Sequence, residues 1–174
     1  CEKRYGMIID YESFTGLLSV GINPDTGAPS ITRDAELGKI ESYISVYEQE
    51  YLIRILGEDM CKAFTDYLNL KEDSKEDSVD DKWDRLLAIL SEKYSPIACY
   101  IFFKYIADGN YSVTNVGTVT SADGDAVSPQ VLQIRAWNDM VNMNKRVYKL
   151  LQGKEYAGVC FNPCMLRKIN CMGI

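Results

Sequence analysis

Pro96-Ile-Ala-Cys-Tyr-Ile-Phe-Phe-Lys-Tyr-Ile106 is apolar on every side but for Lys104. A helix without a polar face has to be enclosed by protein, so this segment predicts the centre of an α-helical core. Upstream, Trp83, Leu87, Leu90, Tyr94, Ile97 and Ile101 fall on one helical face. The spacing predicts a spine helix over about 81–107. Pro96 lacks an N–H, and it either bends that helix or marks a break between two.

Working outward, the same periodicity predicts three further helices. Leu37, Ile40, Ile44, Tyr47 and Tyr51 form one stripe from about Asp34, with Asp34 and Glu36 in the first turn, where carboxylates suit the helix dipole. Leu56-Gly57 ends it, glycine being the usual residue just past a helix. A shorter helix follows through Met60, Phe64, Tyr67 and Leu68. The charged stretch 71–81 has nothing to bury and lacks the glycine and glutamate spacing of a calcium loop, so it reads as a solvated loop. Ser128-Pro129 is an N-cap and first-turn pair that opens the last helix. That helix runs to about Leu151, with Trp137, Met140, Val141, Asn144, Tyr148 and Leu151 on one stripe and Gly153 as its stop.

Between the two long helices lies a polar, glycine-bearing stretch. Tyr111, Val113, Val116, Thr118 and Thr120 alternate weakly, while Asn115, Gly117 and Asp123-Gly124 favour turns. The expected fold is therefore mainly α: a small bundle of about four helices with an extended arm or hairpin at about 111–126. The chain divides into an N-terminal arm (1–31), a helical body (32–152) and a short basic tail (153–174). The N-terminal arm is rich in turn formers, yet Ile8, Ile9, Phe14, Leu17 and Leu18 give it enough apolar weight to pack on the body or on a neighbour.

The 174 residues suit one domain. A net charge of −6 argues against non-specific nucleic-acid binding, which rests on lysines and arginines neutralising phosphates. No apolar run is long enough to span a bilayer. The charge is polarised: residues 135–174 carry +5 and residues 1–134 carry −11. Such polarity suits head-to-tail contact between copies or docking of the basic tail on an acidic partner.

The residues for chemistry are few. There is no histidine, which removes the commonest general base and metal ligand. Serines and cysteines have no histidine to activate them, and glycine-rich phosphate loops are absent. Cys61 and Cys99 fall at apolar helix positions and read as small buried hydrophobes. Cys160, Cys164 and Cys171 would need a fourth ligand to hold zinc. No enzyme activity, cofactor or metal is expected. Cys1 leaves one other class open, a cell-envelope lipoprotein with a processed N-terminal cysteine. A small helical adaptor that binds a partner protein is the other alternative.

Four segments in this order carry a resemblance: Met7-Ile-Ile-Asp-Tyr11, Tyr43-Ile-Ser-Val-Tyr-Glu-Gln-Glu-Tyr-Leu-Ile-Arg-Ile-Leu-Gly57, Tyr100-Ile-Phe-Phe-Lys-Tyr105 and Val113-Thr-Asn-Val-Gly-Thr-Val119. Over about residues 7–152 the chain resembles the head–tail connector (adaptor) proteins of tailed bacteriophages, especially the version in phages and prophages of Bacteroidetes-type gut bacteria. The resemblance implies a structural virion protein at the head–tail junction, assembled in the host cytoplasm. Its copies would form a ring, typically a dodecamer, that docks on the portal protein, extends the DNA channel and offers a platform to the next neck or tail protein. Genomic DNA would pass without sequence-specific binding, and no membrane would be involved. Portal docking would fall to Arg167, Lys168 and Ile169. Contacts between subunits would fall to Tyr111, Val113, Asn115, Val116, Gly117 and Val119. On that reading, 111–126 and 154–174 are expected to make few contacts within their own subunit.

Overall fold

The computed structural model describes residues 7–14, 18, 31–73, 81–112 and 129–170; for 31–36, 72–73 and 109–112 it describes the backbone alone. Among the described residues the fold is mainly helical, a small bundle without strands. A one-turn 3-10 helix (Tyr11–Phe14) precedes α1 (Ile31–Leu56), α2 (Glu58–Asp73), α3 (Asp81–Leu90), α4 (Pro96–Ser112) and α5 (Pro129–Leu151). Two 3-10 turns, Lys154–Tyr156 and Pro163–Leu166, shape the tail. No helix of the described residues is long and apolar enough to cross a membrane.

Helix α4 is the centre, packed most extensively on α5 and next on α1. Ile97 to Phe102 are all buried, as the all-round apolar pattern predicts, whereas Phe103 to Ile106 are half-buried. There the neighbours are aromatic: Tyr43 meets Tyr105 edge-on with centroids 5.4 Å apart, and Phe103 lies 4.9 Å from Trp137. The predicted α1 stripe is buried at Ile40, Ile44 and Tyr51 and half-buried at Leu37 and Tyr47. On α5, Met140, Val141, Asn144 and Leu151 are buried, but Tyr148 is exposed. Its ring instead flanks Phe161 of the tail, 5.1 Å away.

The predicted spine helix is two helices. Helix α3 makes its last bond from Ser91 N to the Leu87 carbonyl, and α4 starts at Pro96. Pro96 cannot donate to the preceding turn, while buried Ser95 accepts the Ala98 N–H with its hydroxyl at 3.1 Å and caps the new helix. Among the described residues there are thus five α-helices, within a small bundle where about four were expected. Helix α1 begins at Ile31, three residues ahead of Asp34. Helix α2 runs to Asp73, into the predicted loop, where Lys71 pairs with Asp84 of α3; residues 74–80 lie outside the described residues.

The tail is the larger correction. Residues 154–170 belong to the body of their own subunit: Tyr156 is 1% exposed and Met165 fully buried. Tyr156 stands edge-on to Trp83 and donates its hydroxyl to the Lys82 carbonyl. The tail is short of periodic apolar residues, but it needs none to bind the backbone of helices already in place.

Candidate assembly surface

The tail attaches first at the end of α1. The last four carbonyls of a helix have no partner within it, and a buried end must find partners elsewhere. Gly57 adopts φ +80° and returns its N–H to the Ile53 carbonyl at 2.9 Å. Asn162 N donates to the Arg54 carbonyl at 2.9 Å and Cys160 N to the Leu56 carbonyl at 3.0 Å. The tail thus completes the cap that Gly57 begins. A Cβ on Gly57 would stand 3.1 Å from the Cys160 Cβ, so glycine is required here for both its conformation and its size.

The second attachment is to α5. Asn144, fully buried, donates its amide to the Met165 carbonyl at 3.0 Å and accepts the Tyr51 hydroxyl from α1. Further along, Trp137 Nε1 donates to the Arg167 carbonyl at 2.8 Å. Asn138 then brackets Ile169, accepting its N–H at 2.8 Å and donating to its carbonyl at 2.9 Å. This is the pairing a neighbouring strand would supply, made by one side chain. The result is an extended ledge whose backbone is tied to α5. The side chains of Arg167, Lys168 and Ile169 are exposed on it, Ile169 at 39%. The structure brings these three predicted residues together on a fixed support.

Beside the tail, the elbow between α1 and α2 opens into a groove of about 700 Å³, lined by Glu50, Ile53, Arg54, Gly57, Glu58 and Phe161 among others. Its polar wall centres on Glu50. One carboxylate oxygen accepts from Arg54 at 2.8 Å, from the Tyr100 hydroxyl at 2.7 Å and from Lys104 at 3.3 Å. Burial alone would push the Glu50 carboxyl up, but hydrogen bonds from Tyr100 and Arg54 and the Lys104 charge hold it below the usual range. Ile53 and Val46, one on the groove and one seven residues earlier, are exposed apolar residues of α1. Sequence reasoning assigned no role to either. Their only signal is that they sit off the buried stripe, where polar residues are the norm.

Of the predicted inter-subunit residues only Tyr111 is described, and by its backbone alone. Tyr111 is in the last turn of α4, so the segment expected to be extended is helical at least as far as Ser112. Val113, Asn115, Val116, Gly117 and Val119 lie outside the described residues. Cys61 and Cys99 are buried, as their helix positions predict, and burial pushes the Cys99 thiol up to about 12. Cys160 and Cys164 are exposed, Cys171 lies outside the described residues, and no group of three or more acidic or cysteine side chains among the described residues could hold a metal ion.

Compared with protein families, with curated proteins and with solved structures, the chain finds no match.

Proposed function

We propose that this chain is a structural subunit of a phage head–tail junction, forming a ring that docks on the portal and extends the DNA channel. The observation that carries this reading is the ledge of Arg167, Lys168 and Ile169, fixed to α5 through Trp137 and Asn138 with its side chains outward. A docking element held in one conformation loses little entropy on binding, and two cations around an exposed isoleucine suit an acidic, partly apolar site. The order and spacing of the four quoted segments supports the family. The polarity of +5 against −11 favours heterologous contacts, which form a ring where the rotation between copies closes. A predominantly acidic body lets DNA slide rather than hold.

The test is native mass spectrometry and negative-stain microscopy of the purified chain, alone and with a portal protein encoded in the same genome. The expected result is a ring that caps the portal. The triple variant Arg167→Ala, Lys168→Ala, Ile169→Ala should remain folded and lose the portal. A chain that stays monomeric and ignores the portal would overturn the proposal. That outcome would favour a second reading, a monomeric adaptor that captures a partner segment in the elbow groove, for which the exposed Ile53 on its wall is the supporting observation.

A further inference from the structure

Glu48 is a carboxylate on the inner side of α1, 8% exposed. Among the described residues its hydrogen-bond donors are backbone groups of the N-terminal strap: Ile8 N reaches both oxygens, at 3.2 and 3.1 Å, and Ile9 N reaches Oε2 at 3.3 Å. Among the described residues no cation balances it. On α1, Arg54 is committed to Glu50, while Lys39 lies over the rings of Tyr43 and Tyr105. On α4, which the strap also touches, Lys104 turns to Glu50 and Asp108 to the hydroxyls of Tyr43 and Tyr47. On the strap, Asp10 accepts the Glu12 N–H and both are exposed. Tyr51, next on the inner face of α1, gives its hydroxyl to Asn144.

Beyond this carboxylate, the described strap is held by Ile9, Phe14 and Leu18, each at most 4% exposed, while Met7 and Tyr11 face outward. A buried carboxylate with no counter-charge among the described residues is poorly solvated when ionised, and the remedy closest at hand is departure of the strap bonded to it. We infer that the described strap, residues 7–14 with Leu18, forms a proton-linked clasp, seated on α1 more firmly when Glu48 is protonated and released more readily when it is ionised. This holds whether or not the chain forms a ring.

The direction follows from burial. Burial pushes the Glu48 carboxyl up to about 7, and the two strap N–H groups offset only part of that rise. A carboxyl raised in the docked state binds a proton more tightly there than in water. Docking is therefore most favoured at low pH and loses that advantage as pH rises through the docked value. With about 7 docked and an ordinary value of 4.5 once hydrated, the docking equilibrium should strengthen roughly 30-fold from pH 8 to pH 5.5.

The experiment is amide exchange by NMR on the full chain, read as protection factors of Ile8 and Ile9 so that the intrinsic pH dependence of exchange cancels. Protection should rise roughly 30-fold between pH 8 and 5.5 in the native chain and hardly change in Glu48→Gln. Should that variant fold poorly, the native chain supplies a second measurement. Its Glu48 carboxyl resonance and its Ile8 and Ile9 amide shifts should titrate with one midpoint near 7. Protection that is flat with pH, an equally steep rise in Glu48→Gln, or a Glu48 midpoint near 4.5 would each overturn the clasp.

Discussion

Replacing Asn144 with leucine tests how the tail is joined to the bundle. Leucine keeps the forked shape and excludes water, but it can neither accept from Tyr51 nor donate to Met165. Both partner residues are fully buried. A buried polar group stripped of its partner costs about 1–3 kcal/mol. Two such groups bring the expected loss for Asn144→Leu to about 2–6 kcal/mol. Tyr51→Phe alone leaves only the Asn144 oxygen unpaired and should cost about 1–2 kcal/mol. In the double variant the orphaned hydroxyl is gone and only the Met165 carbonyl is unpaired. The double variant should therefore be more stable than the sum of the singles by at least about 1 kcal/mol. Urea unfolding followed by circular dichroism gives all four stabilities, and amide exchange should show the tail from Met165 to Ile169 opening first in Asn144→Leu. A loss below about 0.5 kcal/mol, or strict additivity in the cycle, would refute the bridge as a stabilising element.

Removing residues 154–174 strips Tyr156 and Met165 from the core, at about 1.5–3 kcal/mol each, and uncaps α1; unfolding at the native urea midpoint would contradict this. Gly57→Ala forces an L-residue to φ +80° against Cys160 and should lower stability by about 1–2 kcal/mol in the same assay. Ile101→Asp places a charge in the centre of the core at a cost on the order of several kcal/mol; a cooperatively folding variant would mean that α4 is not central. Brief alkylation at pH 8, read by peptide mass spectrometry, should label Cys160 and Cys164 well before Cys61 and Cys99.

The helices were legible because burial leaves a period in the sequence. Trp83, Leu90, Ile97 and Ile101 lie on one predicted stripe and are all buried, yet the helix that stripe implied is broken at Ser91 to Ser95. A continuous apolar face reports a shared core, not a continuous backbone. The break had its own signal. Pro96, read as either a bend or a break, opens α4 as Pro129 opens α5, and the apolar run around it left the two readings open. The ledge residues Arg167, Lys168 and Ile169 could be nominated from the sequence, but not their support. Backbone hydrogen bonds from Cys160 and Asn162 to the end of α1 have no residue code, since any non-proline residue supplies the same N–H.

What the sequence did carry was a different kind of mark. Three polar residues are buried among those described: Glu48, Ser95 and Asn144. Glu48 and Asn144 are placed where a helix face would take an apolar residue and Ser95 stands just ahead of α4, and each serves a backbone group that periodic packing leaves unpaired. Glu48 accepts from Ile8 and Ile9 of the N-terminal strap, Ser95 from Ala98 at the start of α4, and Asn144 donates to Met165 of the tail. A polar side chain is kept in a core only where its partner is certain, because an unmet one costs more than an apolar residue gains. On a helix face, as with Glu48 and Asn144, such residues therefore point to segments that have no periodicity of their own. Asn144 stood within the predicted stripe of α5 and could have been read in this way, as the sign that an irregular segment crosses that face. The two of them that hold chain ends differ in one respect that bears on behaviour. Asn144 is neutral and clamps the tail at any pH, whereas Glu48 ionises, so the grip on the N-terminal strap varies with protons while the grip on the ledge does not.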